Sequence, residues 1–343
     1  MKAVRFHEHG GPDVLRYEDA PDPMPAAGRA IVRVAACALN HLDLWERQGL
    51  PRVRIPLPHI PGSDISGEIA DEGGGALAVG TRVLLQPGLS CGACPACLEG
   101  ADNLCPHYDV IGLMSDGGYA EFVSVPVDNL VAIPDHIGFV EAAAFPLTFL
   151  TAWHMLVTLA RVRAGDVVLV LAGGSGVGQA AIQIAALRGA RVFATAAAAK
   201  HGKTRALGAE DVFDHYADDY SRQIKDATGG RGADIVVEHV GQATWDRSVR
   251  SLAKGGRLVT CGATTGSKTA LDLTHLFARQ LSLLGSYMGR KSELRDAAPL
   301  LFEGRLRPVI DEVWPMSAAV SAHERLEKGE QFGKIVLING PTP

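Results

Sequence analysis

Four cysteines stand close together in the first third of the chain. They are Cys91, Cys94, Cys97 and Cys105, in the pattern C-x2-C-x2-C-x7-C. Thiolates at such a spacing are typical ligands of a tetrahedral Zn²⁺ ion, with Zn–S bonds of about 2.3 Å. Because all four positions are cysteine, no ligand position is left for water, and the pattern predicts one structural zinc ion per chain rather than a catalytic one. Disulfide bonds and an iron–sulfur cluster remain the alternative uses of these thiols.

A glycine-rich loop lies in the middle of the chain, between a strand and a helix. Residues Asp166–Ala172 form an apolar run of strand length, Gln179–Leu187 has a helical pattern, and Gly189–Thr195 is a second buried strand. Such a unit binds the pyrophosphate of a dinucleotide at the N-terminus of its helix. The pattern therefore predicts an NAD(P) site. The predicted contacts in the loop are Gly173, Gly174, Ser175, Gly176, Val177 and Gly178.

The residues after the second of these strands bear on the choice between NADH and NADPH. Chains of this fold that bind NAD place Asp or Glu at the end of that strand, where it bonds the ribose 2′-hydroxyl. Here Ala196 takes that place, after Thr195, whose hydroxyl suits either a ribose or a phosphate. Lys200 and Lys203 follow within reach of a 2′-phosphate, and a cation beside a phosphate is favourable. We expect NADPH to be preferred over NADH; a solvated helix start is the alternative explanation of the lysines.

Composition and charge exclude several functional classes. The 343 residues suggest about two domains, and 47% hydrophobic with 21% charged residues is ordinary for a globular protein. The net charge of -5 argues against a nucleic-acid partner, and the apolar runs are too short to span a membrane. The first residues carry charges where a signal peptide needs an apolar core, so we expect a cytoplasmic protein.

The cysteines and the glycine loop lie in two parts of the chain with different secondary-structure patterns. Residues 1–35 alternate like strands with Gly- and Pro-rich turns, and 40–48 has the pattern of a short helix before Gly49. After residue 166, apolar strands alternate with helical segments, which indicates a parallel, doubly wound sheet of the α/β class. A final strand, Gly333–Ile338, is expected to rejoin the first lobe.

Taken together, the motifs resemble the medium-chain dehydrogenase/reductase superfamily over essentially the whole chain. The resemblance implies a Rossmann doubly wound parallel sheet, residues 129–289, inserted into a GroES-like β-rich catalytic domain, residues 1–128 and 290–343, with the structural zinc lobe at 91–105. The segments that carry it are Gly10–Leu15, Asn40–Asp43, Pro61–Asp64, the four-cysteine lobe, Gly117–Glu121, Leu147–Ala152, Gly173–Gly178 and Phe332–Lys334.

One departure from the zinc alcohol dehydrogenases of this family concerns the catalytic metal. Those enzymes resemble this chain at a first cysteine ligand, which matches Cys37. Their histidine ligand falls on Ser63, and their third ligand falls on Leu147. One thiolate cannot hold a zinc ion. The segment Asn40–Asp43 instead resembles the metal-free, quinone oxidoreductase-like branch, so the sequence predicts a structural zinc lobe without a catalytic zinc.

The resemblance also supplies catalytic candidates. Asn40 resembles a substrate-pocket hydrogen-bond donor, His41 is a candidate proton donor, and Asp64 takes the place of an acid beside the pocket. Thr151 matches a residue that approaches the nicotinamide carboxamide. The alternatives are a surface histidine for His41, a structural ion pair for Asp64 and helix packing for Thr151.

We expect an NAD(P)H-dependent oxidoreductase that acts on a small apolar carbonyl compound by reducing an activated alkene or quinone. Alcohol dehydrogenase activity is one alternative, and a non-enzymatic dinucleotide-binding protein, as in lens crystallins that share this fold, is another. The apolar strand Leu281–Ser286 is expected to be the last of the parallel sheet. An open edge of that kind tends to be paired, so we expect a homodimer or homotetramer.

Overall fold

The computed structural model describes residues 1–51, 53–216 and 219–340. In chain order the strands are β1 (Lys2–Arg5), β2 (Arg16–Asp19), β3 (Arg29–Ala38), β4 (Asp64–Asp71), β5 (Arg82–Leu85), β6 (Gly88–Leu89), β7 (Asp109–Val110), β8 (Phe122–Pro126), β9 (Leu130–Ala132), β10 (Val167–Val170), β11 (Arg191–Ala196), β12 (Asp211–Asp214), β13 (Ala233–Glu238), β14 (Leu252–Thr260), β15 (Ser282–Gly285), β16 (Ile310–Pro315) and β17 (Lys334–Ile338). The helices are α1 (His41–Gln48), α2 (Pro95–Leu98), α3 (Phe139–Ala143), α4 (Pro146–Trp153), α5 (Gly176–Leu187), α6 (His201–Ala206), α7 (Tyr220–Ala227), α8 (Trp245–Ser251), α9 (Leu273–Ala278), α10 (Lys291–Phe302) and α11 (Ala319–Glu327).

The chain divides into two compact units. Unit 1 comprises Met1–Leu147 and Arg290–Pro343, and unit 2 comprises Thr148–Gly289. The predicted boundary at residue 128 is wrong, because β9 pairs with β5 and α3 packs on β3 and β4. Ala143 and Ala144, at the end of α3, share a buried apolar cluster with Val336 and Ile338 of β17, so this stretch belongs to unit 1.

Unit 1 is built on a sheet in the order β16-β17-β3-β4-β5-β9, with β8 also paired to β3. The last strand of the chain, β17, runs antiparallel to β3, and Leu337 lies opposite Cys37. The predicted return of the C-terminal strand to the first lobe is therefore confirmed. It places Lys334, the first residue of β17, close to the end of β3, where α1 begins.

Unit 2 contains a six-stranded parallel sheet in the order β12-β11-β10-β13-β14-β15. Its central strand β10 is completely apolar and buried, as expected for a strand covered on both faces. Helices α5, α7 and α8 pack on the strands. The predicted doubly wound α/β class is confirmed. None of the helices in the described ranges is long and apolar enough to cross a membrane.

Candidate functional site

The four cysteines of the metal lobe lie together in unit 1, and all four Sγ atoms are within 4.8 Å of one another. Three Sγ–Sγ separations are 3.9 Å for Cys91 and Cys97, 3.5 Å for Cys94 and Cys97, and 3.5 Å for Cys105 and Cys91. These thiols are free of disulfide bonds. Tetrahedral Zn–S bonds of about 2.3 Å require sulfur separations of about 3.8 Å, so the lobe fits a zinc ion.

Backbone amides of the lobe donate to its sulfurs and favour the charged form of Cys91. The N–H groups of Cys91 and His107 donate to Cys105 Sγ at 3.5 and 3.4 Å. Hydrogen bonds from the backbone of Ala93 and Cys94 lower the pKa of Cys91 to about 6. The thiolate is the form that binds metal. Since the four donors are all protein sulfurs, this lobe suits a structural ion and leaves no position for substrate.

The position at which the resemblance would place a second metal does not fit one. Leu147 has no donor side chain, and Cys37 is fully buried. Burial, with the charges of Asp43 and Asp64, raises the pKa of Cys37 well above its usual value, so its thiol is neutral. The Ser63 hydroxyl is buried without a hydrogen-bond partner among the described residues. Within the same ranges, only the four-cysteine lobe brings three or more His, Cys, Asp or Glu donors together.

Asn40 and Asp64 are brought together where β3, α1 and β4 meet. Asn40 Nδ2 donates to Asp64 Oδ2 at 3.0 Å and to the carbonyl oxygen of Ala38 at 3.4 Å. Lys334 completes the group, because its Nζ donates to Asn40 Oδ1 at 2.6 Å and to Asp64 Oδ2 at 2.8 Å. The backbone N–H of Leu147 donates to Asp64 Oδ1 at 2.7 Å. All these groups belong to unit 1.

This geometry corrects two predicted catalytic roles. The amide hydrogens of Asn40 are directed to protein acceptors and the residue is 7% exposed, so Asn40 is not a free donor for a substrate. Asp64 is fully buried and paired with Lys334, which is the structural alternative considered for it. Asn40 and Asp64 instead fix the junction between β3 and α1.

Asp43 extends this polar group toward α11. Its Oδ2 accepts the N–H of Asn40 at 2.7 Å and the hydroxyl of Tyr119 at 3.2 Å. The Tyr119 oxygen also lies 3.2 Å from His323 Nε2. Burial raises the pKa of Asp43 to about 7. Burial and the charge of Arg47 lower the pKa of His323 to about 3, so this imidazole is neutral.

Lys334, Tyr119 and His323 were not assigned to a site by the sequence analysis. Lys334 and Tyr119 lie in two segments that carry the family resemblance, Phe332–Lys334 and Gly117–Glu121, so a signal for them was present. His323 lies on α11 and carries no such signal. Its place in the group depends on the packing of a helix that is distant in the sequence.

His41, the third catalytic candidate, is the first residue of α1 and is half-buried. Its ring centroid lies 6.3 Å from that of Trp45, one turn along the helix. Both side chains are therefore carried by the helix that Asn40, Asp43 and Lys334 fix in place. Phe145 precedes α4 and Phe149 lies within it, and both are completely buried and belong to the core.

The glycine loop of unit 2 has the geometry expected of a dinucleotide loop. Ser175 caps α5, with its Oγ accepting the N–H of Gly178 at 3.0 Å. Ser175, Gly176 and Val177 are half-exposed, whereas Gly173, Gly174 and Gly178 are buried. A Cβ atom on Gly178 would overlap the carbonyl oxygen of Ala172. Only glycine fits there, and the exposed turn presents helix N–H groups suited to phosphates.

Thr195 supports this loop from β11. Its Oγ1 accepts the N–H of Ala172 at 3.0 Å, and its carbonyl accepts the N–H of Gly173 at 2.7 Å. Since Thr195 is completely buried, the structure corrects its predicted role. It fixes the loop and does not contact a ribose.

The lysines predicted to favour NADPH follow directly after β11. Lys200 is half-buried at the start of α6, and Lys203 is exposed on that helix. Burial lowers the pKa of His215, which follows β12; the charge of Asp214 raises it, and the charges of Arg247 and Lys200 lower it further. Thr151 is 4% exposed within α4.

Comparisons with known proteins find a matching family model in each of the two units. The family model described as "Alcohol dehydrogenase GroES-like domain" matches residues 26–135, and the model described as "Zinc-binding dehydrogenase" matches residues 176–303. The quinone oxidoreductase of Mus musculus is 31% identical over 350 residues, which cover 98% of each chain. The chain belongs to the medium-chain dehydrogenase/reductase superfamily.

Relatives in this superfamily carry two different names. The alcohol dehydrogenase of Geobacillus stearothermophilus is 31% identical over 342 residues, covering 98% of this chain and 99% of its own. A solved structure described as an NAD-dependent alcohol dehydrogenase is 46% identical, with a TM-score of 0.96 over 99% of this chain and 100% of that one. Membership in the medium-chain dehydrogenase/reductase superfamily makes this protein an NAD(P)-dependent oxidoreductase.

Proposed function

We propose that this oxidoreductase reduces an activated alkene or quinone with NAD(P)H and does so without a catalytic zinc ion. The observation that carries the proposal is the donor set at Cys37, Ser63 and Leu147. It offers a single thiol, a hydroxyl and a hydrocarbon side chain, whereas a catalytic zinc needs three protein ligands. The similarity to quinone oxidoreductases over the whole chain supports the same choice.

The chemistry of the substrate explains why a metal is dispensable. Hydride transfer to an enone or quinone places negative charge on an oxygen that is conjugated with the reacting carbon. Hydrogen-bond donors can stabilise such an oxyanion. Oxidation of a simple alcohol instead requires removal of its hydroxyl proton, a step that metal coordination assists. The arrangement of unit 1 therefore favours conjugated acceptors.

Among the predicted catalytic residues, His41 keeps the role of proton donor in this proposal. It is half-buried at the first turn of α1, and the unperturbed pKa of an imidazole is about 6.5. Asn40, Asp43 and Lys334 are positioning residues, because they hold the start of the helix that carries His41.

The cofactor proposal has two parts. We propose one structural zinc ion per chain, bound by Cys91, Cys94, Cys97 and Cys105, since their sulfur separations match tetrahedral coordination. We also propose that NADPH is preferred over NADH, because β11 ends at Ala196 without a carboxylate and Lys200 and Lys203 follow it.

Alcohol dehydrogenase activity is the second candidate. The zinc lobe and the name of the structure at 46% identity favour it. That name includes NAD, so this candidate would also favour NADH.

The two candidates differ in metal count and in substrate. We would measure zinc by elemental analysis and follow NAD(P)H consumption or formation with enones, quinones and alcohols. The proposal expects one zinc per chain and turnover of conjugated acceptors. Two zinc ions per chain with turnover of alcohols alone would refute it, and bound cofactor without any turnover would favour a non-enzymatic role.

Two cysteine variants provide a matched comparison. Cys37→Ala should retain one zinc per chain and most of the reductase activity, because its buried thiol is not a metal ligand in this proposal. Cys94→Ser should lose the zinc of the lobe. Loss of a zinc ion from Cys37→Ala would show that a catalytic site exists after all.

A further inference from the structure

The zinc lobe packs on the rest of unit 1 with polar side chains rather than apolar ones. Two of its leucines, Leu98 and Leu104, are 76% and 69% exposed, whereas Asp102 and Asn103 beside them are 8% and 7% exposed. The lobe thus turns polar side chains inward and leaves apolar ones in solvent. A buried carboxylate needs hydrogen-bond or charge partners, so the contacts of Asp102 show which element of unit 1 the lobe binds.

Asp102 binds the first residue of α10. Both of its carboxylate oxygens accept the backbone N–H of Lys291, at 3.1 Å and 3.2 Å. The first N–H groups of a helix have no partner within the helix, and a carboxylate there also interacts favourably with the helix dipole. Glu293 caps the same end from within, by accepting the N–H of Arg290 at 2.7 Å.

The contact between Asp102 and Lys291 matters because α10 begins where the chain returns from unit 2 to unit 1. Arg290 is the first residue of unit 1 after the chain leaves unit 2, and α10 starts at the next residue. Arg295, one turn further, donates to the carbonyl oxygen of Asp128 at 3.1 Å. The start of α10 is therefore held to the N-terminal part of unit 1 at Asp102 and at Asp128.

We propose that Asp102 couples the occupancy of the zinc lobe to the start of α10. Asp102 lies between the ligands Cys97 and Cys105, its carbonyl oxygen accepts the N–H of Cys105 at 3.1 Å, and its carboxylate anchors the helix. Zinc binding orders the lobe and so anchors α10. The inference rests on the zinc occupancy proposed above.

Chelator-driven zinc release from the full-length protein tests the same coupling in the reverse direction. Interactions beyond the direct ligands typically change metal affinity about 10- to 100-fold, so Asp102→Asn should release zinc at least about tenfold faster than the wild type. Asp135→Asn, at an exposed aspartate of the same unit, is the control and should release zinc at the wild-type rate.

Hydrogen–deuterium exchange tests the anchoring of α10. In the wild type, removal of zinc should increase exchange at residues 291–296. Asp102→Asn should show that increased exchange with zinc still bound, because the neutral amide is a weaker acceptor for the N–H of Lys291. A wild type without zinc would refute the metal proposal itself. Zinc present, with unchanged release from Asp102→Asn and unchanged exchange on zinc removal, would overturn only this inference.

Discussion

Lys334 Nζ lies 2.8 Å from Asp64 Oδ2, and the two side chains are only 2% and 0% exposed. The pair joins the last strand of the chain to β4, across 270 residues of sequence. A buried ion pair does not by itself stabilise a protein more than apolar residues of similar shape would. Its effect here is geometric, because Lys334 also binds Asn40 Oδ1 and so fixes the start of α1.

Removal of one member of this pair should lower the free energy of unfolding. Lys334→Met leaves Asp64 buried without its cation, so we expect a loss of about 3–5 kcal/mol in the free energy of unfolding. The double variant Lys334→Met with Asp64→Asn removes both charges and should recover a large part of that loss. Denaturant titration monitored by circular dichroism measures both. A single variant as stable as the wild type would contradict the buried pair.

Asp43 should make stability depend on pH near neutrality. Its folded pKa of about 7 lies above the unfolded value of about 3.9, so the fold favours the protonated carboxyl. The stability that it contributes is complete below the unfolded pKa and is lost as pH rises through 7. The charged and polar groups that interact with Asp43 are Lys334, Asp64, Tyr119 and the buried Glu46. The variant Asp43→Asn leaves these groups unchanged.

The variant Asp43→Asn keeps an acceptor for the N–H of Asn40 but does not titrate. Its stability relative to the wild type should rise between pH 4 and pH 7, with a slope of about 1.4 kcal/mol per pH unit at most. Unfolding titrations at several pH values measure this difference. Parallel stability curves for the two proteins would show that Asp43 does not titrate in this range.

The fold, the clustering of the four cysteines and the shape of the glycine loop could be predicted because their signals are local. The four cysteines lie within fifteen residues, and the loop from Gly173 to Gly178 is flanked by its own strand and helix. Backbone geometry and ligand spacing alone specify such motifs. The boundary at Leu147 was missed because α3 belongs to unit 1 through contacts with β3 and β17, which no local pattern encodes.

The hydrogen bonds that occupy Asn40 were missed for the same reason. Asn40 was assigned as a substrate donor from its place in a motif, yet Lys334, its partner, is 294 residues away in the sequence. Likewise, the burial of Thr195 follows from the position of Ala172 on a neighbouring strand end. Residue type indicated that Asn40 and Thr195 could form hydrogen bonds. Their partners are determined only by the tertiary fold.

The dinucleotide loop should tolerate no side chain at Gly178. A Cβ atom there would overlap the carbonyl oxygen of Ala172, so Gly178→Ala should weaken NADPH binding by about tenfold or more, the equivalent of about 1.4 kcal/mol of strain. Gly138→Ala is the control, since a Cβ atom at Gly138 meets no atom within 4 Å and this exposed residue lies outside the dinucleotide unit. Cofactor fluorescence titration compares them, and equal affinities would contradict the close approach.

We propose that the protein assembles as a homodimer, or as a dimer of such dimers, through β15. This strand ends the six-stranded sheet, and Leu283 and Leu284 on it are half-exposed. Leu273 and Phe277, one turn apart on the preceding helix α9, are 65% and 69% exposed. Edge pairing with a second copy would bury these apolar groups and the unpaired backbone.

Light scattering after gel filtration tests this assembly. The variant Leu273→Asp with Phe277→Asp should be monomeric, because it places charges in the interface. The variant Leu98→Asp with Leu104→Asp changes two equally exposed leucines of the zinc lobe and should keep the wild-type mass. A wild-type monomer at micromolar concentration would exclude the proposal.

The proposed preference for NADPH depends on the carboxyl end of β11. Ala196 offers no carboxylate to repel a 2′-phosphate, and Lys200 and Lys203 follow it. Hydrogen bonds to charged groups contribute about 1.5–3 kcal/mol, so Lys200→Ala with Lys203→Ala should raise the KM for NADPH at least about tenfold. The KM for NADH, which has no 2′-phosphate, should remain nearly unchanged.

An exposed lysine of the same unit provides the control for this experiment. Lys254 lies near the amino end of β14, and in a parallel sheet that is the edge opposite to the carboxyl end of β11. Lys254→Ala should therefore leave the KM for both cofactors unchanged, which separates a local effect from a change in net charge. A higher kcat/KM for NADH in the wild type, unaltered by Lys200→Ala with Lys203→Ala, would show that the absence of an acid after β11 does not determine the cofactor.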